Sequence, residues 1–211
     1  MIHAKSPFHT IAGQQPLLSN APNFRKQVTH MIALILRYGF IAGLIVGVPM
    51  VWRMLAAKAG ATEEPVAGML LGYLTMIVAL TAVFLGVKAY RDKVLGGAIR
   101  FLPALGVGLG ISAVASIMYV IAWEISMAYS SFDFIAFYKA YMVDAARAKG
   151  ASGAELNQAI ADAESFATMY KNPLYRMPMT FIEMFPVGLL ISLITAAILR
   201  NSRVLPARAT S

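Results

Sequence analysis

Four long stretches of the chain carry almost no charge. Val66 to Val87 and Phe101 to Trp123 have none, and Met177 to Leu199 has one, Glu183. Tyr38 to Trp52 is shorter, and Met31 to Leu36 extends it behind a single Arg37. A bilayer core of about 30 Å needs about 20 apolar residues in a helix. The pattern therefore predicts four membrane spans, at about 33–55, 66–87, 101–124 and 179–200. Arg37 can snorkel to the nearer interface.

The segment between spans three and four, residues 125–178, is the only sizeable polar part. Phe134, Tyr138, Tyr141 and Ala145 recur at helical spacing, and Lys149–Gly150 ends that helix. A second stripe, Leu156, Ile160, Ala163, Phe166 and Tyr170, follows a Ser152–Glu155 capping box. Asn172–Pro173 stops it, because the residue before proline avoids the helical region. Two stripes joined by a glycine-containing turn predict a helical hairpin outside the membrane, about 25 Å tall. The fold class expected is an all-α membrane protein: four transmembrane helices with an extracytoplasmic helical hairpin between spans three and four.

The ends differ from this core. Residues 1–30 are polar, with Pro7, Pro16 and Pro22 and all three histidines, His3, His9 and His30. They predict a flexible cytoplasmic tail rather than a signal peptide, because no short apolar core with a small-residue cleavage site precedes the first span. Residues 31–200 form the membrane domain, and 201–211 a basic cytoplasmic tail.

Composition supports the membrane assignment. The hydrophobic set makes up 59% of the residues and charged residues 13%, against about 45–50% and about 25% in soluble domains. Mean hydropathy is +0.66. There are no cysteines, which excludes disulfides, thiolate catalysis and cysteine metal sites. The net charge of +8 becomes informative once it is sorted by side. Eleven Lys and Arg against Asp92 alone fall on the side holding both termini, a net +10. Seven against nine acids fall on the other, a net −2. The positive-inside rule then places both termini in the cytoplasm and the hairpin outside. The excess charge reports orientation and contact with anionic lipids at the cytoplasmic face, not nucleic-acid binding.

Chemistry-bearing residues are few. Glu124 ends span three and Glu183 lies about one turn into span four, both near the outer interface, with Arg53 at the outer end of span one at similar depth. Ionisable groups in a membrane are costly unless paired, so Arg53, Glu124 and Glu183 form an expected polar cluster, either structural or part of a proton or substrate path. Gly39, Gly43 and Gly47 make a doubled small-xxx-small ridge on span one, suited to packing within the bundle or to dimerisation. Pro186 frees a carbonyl near Ile182 and Glu183. No nucleotide fingerprint, metal motif, cofactor motif or catalytic constellation appears, and no internal repeat supports a transporter of inverted halves.

Several strings occur together: RYGFIAGLIVG at 37–47, LGYLTMIVAL at 71–80, GVKAYRDKVLGGAI at 86–99, YVIAWE at 119–124, and MYKNPLYRMPMTFIEMFPVGLLISLITAAILR at 169–200. In these the chain resembles a bacterial membrane family defined by domain of unknown function 4199, over about residues 35–200. The resemblance implies a four-span integral membrane protein and no particular activity. It singles out Tyr90, Arg91, Asp92 and Lys93, and Lys171, Asn172 and Pro173, as motif positions. The function expected is a non-enzymatic scaffold, accessory or envelope-associated component of the bacterial inner membrane. It would act through the hairpin on an envelope partner or as a homo-oligomer. The alternative is a small oligomeric transporter or channel using Arg53, Glu124 and Glu183.

Overall fold

In the computed structural model the described residues are 21–56 and 65–207. They form six helices: α1 Ala21–Ala56, α2 Pro65–Lys93, α3 Phe101–Tyr129, α4 Phe134–Ala148, α5 Gly153–Tyr170 and α6 Pro173–Leu199. Among the described residues there is no strand. Phe24–Ala56, Leu70–Lys93, Phe101–Tyr129 and Pro173–Leu199 are each long and apolar enough to cross a membrane. Helices suit that environment because each satisfies its own backbone hydrogen bonds where no water is available.

α3 is the centre of the bundle, with α1 and α6 flanking it and α2 behind. α1 runs parallel to α3. Its glycine ridge makes that closeness available: a methyl built on Gly39 would lie 2.5 Å from Val114 Cβ, and one on Gly47 2.9 Å from Ala122 Cβ. A methyl on Gly43 would overlap Met118 Cβ. The ridge is therefore spent on the α1–α3 contact within the chain. α6 runs antiparallel to α3 and crosses it through small residues on both helices. Gly188 faces Ser112, Gly108 faces Ser192, and the two serine hydroxyls lie 3.2 Å apart. From α2, Met76, Leu80, Val83 and Val87 are buried against the others. The opposite side of α3 is open, with Ile117, Ile121 and Ile125 exposed.

Three boundaries differ from the sequence expectation. α1 is already helical at Ala21, so residues 21–30 of the expected tail continue the first span, while residues 1–20 lie outside the described residues. Ser152 occupies the N-cap of α5, yet its hydroxyl makes no cap hydrogen bond. Gly153 adopts φ +53° there, and Glu155 N–H donates to the Ser152 carbonyl at 3.2 Å instead of to its hydroxyl, so the expected capping box does not form. Asn172–Pro173 does end α5, but it also starts α6 six residues before the expected fourth span. The Asn172 side chain accepts from Leu174 N–H at 3.0 Å, and Pro173 takes the first turn, where its missing N–H costs nothing.

α4 and α5 pack antiparallel as a hairpin. Asp133 caps α4 by accepting from Ala136 N–H at 2.9 Å, and Gly150, at φ +89°, ends it beyond Lys149. Aromatic contacts hold the pair together, Tyr138 against Phe166 at 5.1 Å and Phe134 against Tyr170 at 5.8 Å between ring centroids.

Candidate functional site

The most elaborate polar site lies where the hairpin meets the spans. Asn172 and Pro173 set the start of α6, and that start places Arg176 beside Glu124 near the end of α3. The guanidinium forks onto the carboxylate, Nε to Oε1 at 2.7 Å and Nη2 to Oε2 at 2.5 Å. Nη1 donates to the Tyr170 carbonyl at 3.1 Å, capping the end of α5. The Arg176 side chain is 9% exposed and that of Glu124 21%. A planar fork on a carboxylate fixes direction as well as distance.

An aromatic ladder surrounds this pair. Trp123, next to Glu124, meets Phe134 of α4 edge to face at 4.8 Å, and Phe134 meets Tyr170 at 5.8 Å. Burial pushes the Tyr170 hydroxyl above the ordinary tyrosine range, with Thr180 and Trp123 beside it acting in the opposite direction. α3, α4, α5 and α6 are thus tied at one point by one ion pair and three rings. The hairpin is mounted on the bundle rather than tethered to it.

The expected Arg53–Glu124–Glu183 cluster is rearranged. Glu124 has Arg176 as its cation, a residue the sequence pattern registers only as one more charge beyond the spans. Arg53 is half-buried in the last turn of α1 and is not free. The Ser130 hydroxyl donates to the Met54 carbonyl at 2.6 Å, which sets this end of α1 level with the end of α3, about a turn and a half beyond Glu124. Glu183 lies on nearly the same side of α6, exposed, seven residues and about 10 Å deeper than Arg176. Tyr119 OH donates to its Oε2 at 3.3 Å. The reason is helical geometry. Seven residues return to the same side of a helix but two turns further along it, so Arg176 meets Glu124 while Glu183, deeper in the span, meets Tyr119.

A second polar site lies at the opposite end of the bundle. Arg91 is fully buried at the end of α2, so it is removed from the lipid contact expected of a short basic loop. Its Nε donates to Asp92 Oδ1 at 2.6 Å, Nη1 to the Val204 carbonyl at 2.9 Å, and Nη2 to the Leu205 carbonyl. Lys88 pairs with Asp92 at 2.5 Å. Tyr90 is buried beside them, whereas Lys93 and Arg100 are exposed. The segment after α6 folds back and is clamped by the YRDK motif. At the other motif, Lys171 is exposed, and Asn172 and Pro173 serve as the start of α6. Among the described residues no group of three His, Asp or Glu side chains is arranged to hold a metal ion.

The family model "Protein of unknown function (DUF4199)" matches residues 37–201, most of the chain, and the protein belongs to that family. The match takes in the YRDK motif and the Arg176–Glu124 fork, while Val204 and Leu205, which Arg91 clamps, lie just past it. No curated protein and no solved structure gives a significant match.

Proposed function

We propose that this member of the family is a non-enzymatic component of a bacterial inner membrane. Both termini are cytoplasmic, and the α4–α5 hairpin stands on the outer side as a docking module for an envelope partner. The observation that carries this reading is the mounting of the hairpin, in which Arg176 joins Glu124 and the end of α5 while Trp123, Phe134 and Tyr170 close around them. A buried fork of this kind is costly to assemble in a membrane protein, and it makes sense where the orientation of the hairpin matters. The charge sorting of +10 against −2 supports the side assigned to it. The small-residue crossings of α3 with α1 and α6 support action at the surface over a pathway through one chain.

The test is photo-crosslinking in living cells from exposed hairpin positions such as Ala140 and Glu155. One discrete protein adduct, lost in Arg176→Met, is expected. Adducts to lipid alone, or none, would reject the docking role. The transporter reading retains one favourable observation, the exposed Glu183, and predicts pH-dependent flux in vesicles that Glu183→Gln abolishes.

A further inference from the structure

The segment after α6, residues 201–207, folds back as a strap over the end of α2, and Arg91 lies under it with no exposed surface. A guanidinium carries five N–H donors. The described hydrogen bonds of Arg91 use three of them, Nε on Asp92, Nη1 on the Val204 carbonyl and Nη2 on the Leu205 carbonyl. Two donors are left without a described acceptor in a place closed to solvent. The charges are uneven as well. Arg91 and Lys88 share the single carboxylate of Asp92, so the cluster keeps one positive charge in excess. The strap answers that charge with neutral carbonyls.

The strap is also held at a cost. Leu205 adopts φ +48°, the one non-glycine residue at positive φ among the described residues. That region crowds Cβ against a carbonyl oxygen, and it persists only where the surroundings enforce it. Here the enforcing contact is the fork itself, since the Leu205 carbonyl accepts from Nη2. Two oxygens side by side on Nη1 and Nη2 reproduce the way a phosphate binds arginine, and a charged oxygen binds roughly twice as strongly as a neutral one. Phosphate oxygens each accept more than one hydrogen bond, so the same group would also take up the two unused donors. Arg91 sits in the last turns of a membrane-crossing helix, at the depth of lipid phosphates. Lys93, Arg100, Arg200 and Arg203 are exposed at this end of the bundle and raise the local concentration of anions. The family model includes Lys88, Arg91 and Asp92 but ends at residue 201, before both strap carbonyls.

We propose that Arg91 is the centre of a phosphate-binding site at the basic end of the bundle, and that the strap is its built-in cover, with the Val204 and Leu205 carbonyls standing where two phosphate oxygens bind. Binding of the phosphate lifts the strap. The phosphate is that of an anionic phospholipid in the adjoining leaflet or of a soluble molecule, since the fork is the same for both. The site does not depend on the docking role of the hairpin at the other end.

The test uses the full chain with Val204→Cys, a half-buried position that meets Arg91 only through its backbone. The chain has no other cysteine. In dodecyl maltoside micelles free of phosphate, the rate of reaction with N-ethylmaleimide reports lifting of the strap. Phosphatidylglycerol in mixed micelles should raise the rate about tenfold, the factor for exchanging a neutral acceptor for a charged one, and diacylglycerol with the same chains should not. A rise with phosphatidylglycerol alone assigns the phosphate to lipid; an equal rise with inorganic phosphate, against chloride at matched ionic strength, assigns it to a soluble molecule. Arg91→Met should react at the fast rate with or without phosphate. Leu205→Gly relieves the strain, seats the strap more firmly and should demand about fivefold more phosphatidylglycerol for the same response. Arg203→Gln removes an exposed charge from the strap and should keep the response. Unchanged rates with both phosphatidylglycerol and inorganic phosphate would overturn the site. Loss of the response in Arg203→Gln would overturn it too, because release would then come from surface charge pulling on the strap.

Discussion

Replacing Glu124 with leucine strands the Arg176 guanidinium, 9% exposed, with the Tyr170 carbonyl as its remaining described acceptor. Breaking one side of a buried pair costs about 3–5 kcal/mol in soluble proteins. Glu124 is partly open to its surroundings, so the lower end applies, about 3 kcal/mol. Arg176→Met leaves a carboxylate that can draw in water, but it also releases the Tyr170 carbonyl; about 2 kcal/mol is expected. The double variant removes both charges and leaves two apolar side chains beside Trp123. It should cost no more than the milder single change, which puts the coupling near 3 kcal/mol. Lys139→Ala, which breaks an exposed pair with Glu164 at 3.1 Å, should cost under about 0.5 kcal/mol. The assay is reversible unfolding in mixed micelles, followed by the fluorescence of Trp123, which sits in the ladder. Limited proteolysis at the α3–α4 and α5–α6 junctions reports whether the hairpin detaches first. Additive single effects, or single effects no larger than that of Lys139→Ala, would refute the mounting role.

Two further outcomes follow from the same geometry. Gly43→Leu should abolish the folded bundle or lower its melting temperature severely, because even a methyl overlaps Met118, whereas Gly72→Leu, with nothing within 4 Å, should melt within a few degrees of the parent in a detergent thermal scan. Arg91→Ala should free the Val204 and Leu205 carbonyls and speed tryptic cleavage at Arg203 about tenfold, and Arg91→Lys should not restore protection, because an ammonium cannot reproduce the fork.

The spans were legible because a bilayer imposes a simple rule on composition, and the four charge-poor runs are helices. The end of α4 at Lys149–Gly150 was legible for an equally local reason, a glycine at φ +89°. What escaped was set either by double meanings or by distance. Asn172–Pro173 reads as a stop, and it is one. The same two residues also start α6, because a proline that cannot continue one helix suits the first turn of the next. That shift of six residues places Arg176 in the second turn of a helix, facing Glu124 fifty-two positions earlier. No local pattern distinguishes Arg176 from Arg53 as the partner. A carboxylate at the end of one span and an arginine a turn into the antiparallel neighbour was the available signal, and it required the correct helix start. Arg91 was missed for a similar reason. A short basic loop resembles a lipid-facing one until the segment after α6 folds back to cover it.

Labelling of single cysteines tests most directly the proposal that the hairpin between spans three and four stands on the outer side of the membrane. The chain has no native cysteine to interfere. Ser152, exposed at the tip of the hairpin, and Ala98, exposed in the α2–α3 loop, are suitable positions. Gly97 is not, since its φ of +98° would strain any other residue. In intact cells an impermeant maleimide should label Ser152→Cys and should reach Ala98→Cys only after the membrane is opened. Labelling of Ala98→Cys in intact cells while Ser152→Cys stays protected would contradict it.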